Sequence, residues 1–139
     1  MGESGRLRKE TWPTDLAVFI ESRMNAPFVW GIHDCTLFAA DSALAITGVD
    51  PAESFRGTYN SQTGAARIIV EHGSFRNLVN TYMGDEINPK MAQRGDWVLV
   101  EQDGSEALAV CVGVNMVAAG QSGLVFRPMS DAITAWRIS

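Results

Sequence analysis

The sequence predicts an α+β fold in which N-terminal helices pack on a C-terminal antiparallel sheet. Between residues 11 and 84, apolar residues recur at helical spacing, and each such run is closed by proline or glycine. From Gly95 onward, short β-rich runs alternate with turn residues. With 139 residues, of which 46% are hydrophobic and 19% charged, the chain suits one compact domain with one core.

Capping residues predict where four helices begin and end. Pro13 is tolerated in the opening turn of the first helix, and Asp34 is a good N-cap for the second. Gly48 suits the left-handed conformation that ends a helix. The predicted helices run from Thr11 or Thr14 to Met24, from Asp34 to about Thr47, from Ser61 to Gly73 and from Ser74 to Gly84.

Five strands are predicted in the C-terminal part, at residues 97–100, 107–114, 116–119, 124–127 and 135–138. Residues 102–105 have the composition of a hairpin turn. The second strand is almost entirely apolar, which is typical of a central strand covered on both faces.

Residues 1–10 are predicted to form a flexible tail in front of a domain of residues 11–139. Arg6, Arg8 and Lys9 of this tail are expected to pair with acidic groups on a neighbouring protein. Since no core residue lies in the tail, its removal should leave the fold intact but weaken incorporation into a larger assembly. The net charge of −5 argues against a nucleic-acid partner. No apolar run is long enough to span a bilayer, so no membrane anchor is expected.

Cys35 is the leading candidate for a functional residue. It follows an aromatic turn at Trp30-Gly31 and begins the second predicted helix, where free N–H groups and the helix dipole favour a thiolate. The alternative is that Cys35 is a small buried apolar residue beneath the helix. Cys35 and Cys111 do not make a disulfide framework, and we expect folding in a reducing cytoplasm.

The order of motifs resembles the papain-like fold of the NlpC-type cell-wall peptidase superfamily. Members have a glycine-containing aromatic turn, then Asp-Cys at the start of a helix, a Gly-Asp pair that opens the sheet, and a histidine that leads a strand. Trp30-Gly31, Asp34-Cys35 and Gly95-Asp96 match the first three features. Ala107 stands where the histidine of the family would fall. The resemblance implies a single papain-like domain over residues 11–139.

A closer resemblance, over almost the whole domain, is to a family of small proteins encoded in tail-gene clusters of bacteriophages and prophages. The motifs that carry it are Trp30-Gly31, His33-Asp34-Cys35, Ala39-Ala40-Asp41, Thr47-Gly48-Val49-Asp50-Pro51, Arg56-Gly57-Thr58-Tyr59 and Ala135-Trp136-Arg137. This resemblance implies a protein of the virion.

A papain-like hydrolase needs an imidazole within reach of the thiolate and a polar group that orients the imidazole. His33 lies two residues before Cys35 rather than on the opposing sheet, which makes it a weak catalytic candidate. His72 is expected at the surface, near the end of the third helix. Since Ala107 cannot accept a proton, Cys35 is interpreted as a vestigial nucleophile. We expect it in the first turn of its helix, with the side chain of Ala107 facing that helix.

Neither a metal nor another cofactor is expected. His33, Asp34, Cys35 and Asp41 form a conceivable set of metal ligands, but their spacing matches no strong zinc pattern. Asp34 is better explained as a helix cap, and Asp41 as a residue that is either solvated or paired with Arg56.

Two functions of different classes remain open. The first is a structural tail-tip or baseplate protein of a bacteriophage, a pseudoenzyme that binds other tail hub or baseplate proteins. The second is an active cysteine endopeptidase that cuts peptidoglycan during DNA delivery. Either protein would be made in the cytoplasm of the bacterial host and located in the phage tail. Peptidoglycan is a possible partner in both cases.

Overall fold

The structure, a computed structural model, describes residues 7–139. Within that range the helical half comes first and the strands follow, as the sequence predicts. The elements are α1 Trp12–Arg23, α2 Cys35–Thr47, α3 Gln62–Glu71, α4 Phe75–Met83, β1 Trp97–Gln102, β2 Ser105–Cys111, β3 Asn115–Gly120, β4 Gly123–Pro128 and β5 Thr134–Trp136. Short 3₁₀ turns at Pro89–Met91 and Met129–Asp131 lie before β1 and before β5.

The predicted caps are confirmed at three of the four helices. The side chain of Asp34 accepts a hydrogen bond from the third residue of α2 at 2.8 Å. Ser61 and Ser74 accept equivalent bonds, both of 3.0 Å, at the starts of α3 and α4. Gly48 ends α2 in the left-handed conformation, with φ of 81°. Thr11 precedes α1 without a side-chain capping bond.

The five strands form one antiparallel sheet with the order β4-β3-β2-β1-β5. β2 is therefore the central strand, as predicted, and it pairs with β1 from Trp97↔Val110 to Gln102↔Ser105. Both outer edges are partly closed. The N–H of Leu124 on β4 donates to the carbonyl of Met24, and Ile87 forms a bridge with Ala135 of β5. These contacts reduce the unpaired edge that would otherwise invite a foreign strand.

The sheet buries side chains on both faces. On one face, Leu99, Leu108 and Val110 pack beneath the helices in a cluster that includes Leu16 of α1 and Phe38 of α2. Side chains alternate along a strand, so the intervening residues face the other way. They form a second cluster, which consists of Val98, Val100, Ala107, Ala109, Met116, Ala118 and Ala135. The turns before β1 and β5 cover this second cluster through Ile87, Ala92, Met129 and Ala132.

The flexible tail predicted for residues 1–10 is wrong for Arg8 and Lys9. The guanidinium of Arg8 donates to the carbonyl of Ile138 at 2.6 Å, and it forms a 2.9 Å ion pair with Asp96. The backbone N–H of Lys9 donates to the carbonyl of Ile46 at the end of α2. Removing residues 1–10 would break these contacts, so we now expect the deletion to lower the stability of the fold.

Arg6 lies outside the described residues, whereas the ion pairs of Arg8 and Lys9 are formed within this chain. Lys9 contacts Asp15 at 3.1 Å. Both residues therefore already have acidic partners, and the neighbour expected from the sequence is not needed to order them. Among residues 7–139, no helix is both long enough and apolar enough to cross a membrane.

Candidate functional site

The candidate site is built around Asp34, which is almost fully buried at 1% exposure. Its carboxylate accepts hydrogen bonds from the N–H of Leu37 in α2 and, at 3.0 Å, from the N–H of Gly31 in the preceding turn. The hydroxyl of Tyr59 donates a third bond, of 2.6 Å. One carboxylate thus joins the turn, the start of α2 and the loop that follows this helix.

The aromatic turn before α2 requires a glycine at position 31. Gly31 has φ of 83°, in the left-handed region that L side chains rarely adopt. A Cβ at this position would also collide with the carbonyl oxygen of Tyr59. The Trp30-Gly31 motif therefore lets the turn and the Tyr59 loop approach closely enough for both to reach Asp34.

Cys35 is the first residue of α2, which confirms the predicted position. Its sulfur lies 3.8 Å from the hydroxyl oxygen of Thr36 and also forms a hydrogen bond with the backbone of Leu108. Burial raises the pKa of the Cys35 thiol, and the nearby carboxylate of Asp34 adds to this effect. This apolar setting therefore disfavours the thiolate form of Cys35.

His33 is directed towards the end of α1. Its Nδ1 accepts a hydrogen bond of 3.2 Å from the guanidinium of Arg23, and its ring packs edge-on against Phe38. Burial lowers the pKa of His33, and the charge of Arg23 lowers it further. Since Nδ1 is the acceptor, the proton of the neutral ring is on Nε2, which is buried without a hydrogen-bond partner among the described residues. The structure does not place His33 as a base for Cys35.

Ala107 is not on the helix-facing side of β2, so that detail of the prediction is wrong. The register pairs Ala107 with Val100, and both belong to the second cluster, whereas Leu108 packs under the helices. Cys35 packs against the second cluster from the tip of α2. Cys35 and Ala107 therefore contribute to the same apolar cluster, and Ala107 supplies no group that accepts a proton.

An ion-pair network lies beside this site. Asp41 pairs with Arg56 at 2.5 Å, as the sequence suggested, and also with Arg23 at 3.0 Å. Arg56 in turn binds Asp50 at 2.6 Å. The network links α1, α2 and the loop that carries Tyr59, so its role is to fix the position of that loop. Among residues 7–139, no group of three or more His, Cys, Asp and Glu side chains is arranged to hold a metal ion.

Asp96, from the Gly-Asp pair that opens the sheet, has no exposed surface. Its carboxylate accepts hydrogen bonds from the N–H groups of Gln93 and Ile138, at 2.8 and 2.9 Å, as well as from Arg8. Asp96 therefore connects Arg8 and Ile138 to the start of the first strand. The sequence contained no signal for the role of Arg8, because its partners lie 88 and 130 positions away.

The architecture is similar to that of the peptidoglycan hydrolase RipB from Mycobacterium tuberculosis. The superposition covers 99% of this chain and 71% of the RipB chain, with a TM-score of 0.56 and 16% sequence identity. It confirms the predicted α+β fold of the papain-like, NlpC-type class. At this identity the similarity establishes the fold and not the activity.

The chain belongs to the family described as Domain of unknown function (DUF6950), whose model matches residues 7–138. The match begins before Arg8, in agreement with the packing of that residue on the domain. No curated protein sequence matches the chain.

Proposed function

We propose that this protein is a structural component of a bacteriophage tail tip or baseplate, with a papain-like fold whose catalytic site lacks its base. The observation that carries the proposal is the surroundings of the Cys35 thiol. Among residues 7–139, its hydrogen-bond partners are the hydroxyl and the backbone of Thr36 and the backbone of Leu108. None of these groups can take a proton from the thiol at neutral pH.

The missing base has a large kinetic consequence. General base catalysis contributes about 10²–10⁴-fold to the rate of a typical enzyme. The raised pKa of Cys35 decreases the thiolate fraction further, because an apolar setting disfavours the charged form. These two effects support a pseudoenzyme, and the retained fold then serves for binding.

The role in the tail is supported by the resemblance of the motifs around Trp30-Gly31, Asp34-Cys35 and residues 56–59 to proteins of phage tail-gene clusters. The partners we propose are other tail hub or baseplate proteins, and the location is the virion, after synthesis in the host cytoplasm. Peptidoglycan is a further possible partner, because RipB, with the same fold, is a peptidoglycan hydrolase.

The second candidate is an active cysteine endopeptidase that cuts the peptide part of peptidoglycan during DNA delivery. The position of Cys35 at the N-terminus of α2 favours it, since free N–H groups and the helix dipole stabilise a thiolate. This candidate requires a base from outside the described chain, such as a residue of a neighbouring subunit.

Hydrolysis of purified peptidoglycan separates the two candidates. Release of muropeptides by the full chain is compared with release by Cys35→Ala, and circular dichroism verifies that both are folded. We expect no release above background from either. Clear release that is lost in Cys35→Ala would refute the pseudoenzyme and favour the endopeptidase.

We also expect that Ala107→His alone does not produce an efficient enzyme. A catalytic imidazole needs a polar neighbour to fix its tautomer, and the adjacent strand β3 offers only apolar side chains at residues 116–119. A large gain of cleavage that depends on Cys35 would show that the rest of the site is still organised for catalysis.

The virion assignment has its own test, independent of activity. Mass spectrometry of purified phage particles should detect this chain at a fixed ratio to known tail proteins. If infected-cell lysate contains the chain while intact particles lack it, the structural role is wrong, and a role in lysis or processing is the better explanation.

A further inference from the structure

We propose that copies of this protein associate through two oppositely charged surfaces at the ends of strand β1, so that one copy binds the next. The first surface, the basic end, consists of the side chains of Lys90, Arg94 and Arg137. The second, the acidic tip, consists of three carboxylates at the hairpin between β1 and β2, those of Glu101, Asp103 and Glu106. Both surfaces lie outside the candidate site around Cys35, and this contact does not depend on a role in the phage tail.

The cations of the basic end have no acidic partner. Most lysines and arginines among residues 7–139 form ion pairs, and those that form none are Arg67, Lys90, Arg94 and Arg137. Arg67 is on α3, whereas the other three make up the basic end. In a chain with a net charge of −5, an uncompensated group of cations favours contact with an acidic surface.

Hydrogen bonds to backbone carbonyls hold the basic end together. The guanidinium of Arg8 donates to the carbonyls of Arg94 and Ile138, at 2.7 and 2.6 Å, and so joins the segments that carry Arg94 and Arg137. The guanidinium of Arg137 donates to the carbonyl of Met91, which follows the lysine of the basic end. Met91 is 63% exposed, so this surface also offers a partner an apolar contact of a kind that is enriched at protein interfaces.

The acidic tip contains a repulsion that a cation from outside would relieve. Glu101 and Glu106 are direct cross-strand partners in the register of β1 and β2, so their side chains lie on the same face. Like charges directly opposite one another destabilise a sheet. Neither glutamate forms an ion pair within residues 7–139, and the nearby Arg76 already binds Glu86 through two hydrogen bonds.

The two surfaces cannot meet within one copy. Arg94 lies just before β1, and Arg137 follows Trp136, which pairs with the first residue of β1. The acidic tip lies at the other end of this strand, whose six residues span about 20 Å. Because β1 is paired with β2 along its whole length, it does not fold back on itself. Contact between the basic end and the acidic tip therefore requires a second copy, and each copy offers both surfaces.

The distribution of charge favours a second copy over a nucleic acid. The basic end belongs to a chain with a net charge of −5, which repels a polyanion at long range. A phosphate backbone would also leave the repulsion between Glu101 and Glu106 in place. A second copy brings cations to those glutamates and carboxylates to the basic end in the same contact.

Sedimentation equilibrium of the full-length protein measures this association. Contacts between exposed charges are individually weak, so we expect a Kd of about 0.1–1 mM at about 20 mM salt. Raising the salt to about 300 mM should weaken the association about fivefold or more, because dissolved ions screen exposed charges.

Two charge reversals test which surfaces meet. Lys90→Glu with Arg137→Glu makes the basic end acidic, and Glu101→Lys with Glu106→Lys makes the acidic tip basic. Each double variant alone should stay monomeric up to about 1 mM, because its two surfaces then repel each other. An equimolar mixture should associate, since each variant offers the surface that the other lacks. Both variants keep a negative net charge, so overall attraction does not explain a restored contact.

The matched control is Glu21→Lys with Glu71→Lys. Both glutamates are exposed, on α1 and α3, and neither forms an ion pair within residues 7–139. This variant has the same net charge as the reversed acidic tip but should associate as the wild type does. Circular dichroism verifies that every variant is folded.

Several results would overturn the proposal. A wild type that stays monomeric up to about 1 mM at low salt would exclude a contact of the expected strength. Undiminished association of either reversed variant, or a mixture that stays monomeric, would show that the two surfaces do not meet. Binding of single-stranded DNA to a monomeric wild type, lost in Lys90→Glu with Arg137→Glu, would assign the basic end to a polyanion instead.

A measurement on the wild type decides the question even if a reversed variant fails to fold. Dilution at low salt should shift the amide NMR signals of residues 90–94 and 101–106 together, with one apparent Kd, and leave those of α3 unchanged. Shifts confined to only one of the two surfaces, or centred on other residues, would contradict the proposed contact.

Discussion

Replacing Arg8 by methionine is expected to lower the free energy of unfolding by about 3 kcal/mol. The guanidinium donates to the carbonyls of Ile138 and Arg94, at 2.6 and 2.7 Å, and pairs with Asp96 at 2.9 Å. It also lies 4.3 Å from the ring centre of Trp12. Methionine retains the packing of the aliphatic stem but removes the charge and all three hydrogen bonds.

The magnitude follows from the burial of the pair. Asp96 has no exposed side-chain surface, and that of Arg8 is only 14% exposed. Removing one partner of a buried ion pair costs about 3–5 kcal/mol, because the other charge is left without compensation. Asp96 keeps two backbone N–H donors, from Gln93 and Ile138, so we expect the lower end of that range. A loss of this size is a large part of the 5–15 kcal/mol that is typical of a domain.

Urea unfolding, followed by circular dichroism, measures this change. Arg67→Met is the control, since Arg67 is exposed on α3, and it should change the stability by less than about 0.5 kcal/mol. In an Asp96→Asn background the Arg8→Met change should cost clearly less, because no buried charge is stranded. A loss below about 1 kcal/mol in the wild-type background would refute the anchoring role and restore the flexible tail. An identical loss in both backgrounds would show that the ion pair does not contribute.

Three further predictions concern other parts of the domain. Because the pKa of His33 is lowered in the folded state, the unfolded state takes up a proton near pH 6.5 before the folded state does. The free energy of unfolding should therefore fall as the pH drops below about 7. His33→Gln should flatten this dependence in urea midpoints measured from pH 8 to pH 5. Glu86, whose pKa a hydrogen bond from Arg76 lowers to about 2, stabilises the fold above pH 4.5 and loses that contribution as the pH falls to about 2. After allowance for solvent screening of this partly exposed pair, Glu86→Gln should cost about 1 kcal/mol at pH 7 and nothing near pH 2. Gly31→Ala should lower the free energy of unfolding by well above 2 kcal/mol, because it combines a positive φ with a collision against a backbone carbonyl. Gly57→Ala, where φ is positive but the space is open, should lower it by only about 1 kcal/mol. Equal losses of stability in thermal unfolding would show that the collision at Gly31 is relieved.

The sequence predicted the local features of the fold because their causes are local. The caps at Asp34, Ser61 and Ser74 each depend on a hydrogen bond to a residue three positions away. The change from helical to strand periodicity near Gly95 was sufficient for the fold class, and the apolar run that became β2 identified the central strand. Its limits were less accurate, because Gly113 and Val114 belong to the exposed turn that follows.

The sequence by itself therefore determined the order of elements and the start of α2 at Cys35. It also showed an alanine, Ala107, at the position where the resemblance to the NlpC-type superfamily leads one to expect a histidine. Only the tertiary structure decided what surrounds the thiol, which way His33 points, and that Arg8 is part of the domain. These properties depend on groups that are distant along the chain and adjacent in space. The physical reason is that a pKa, a proton acceptor or a buried ion pair is set by distances between side chains, and periodicity carries no information on those distances.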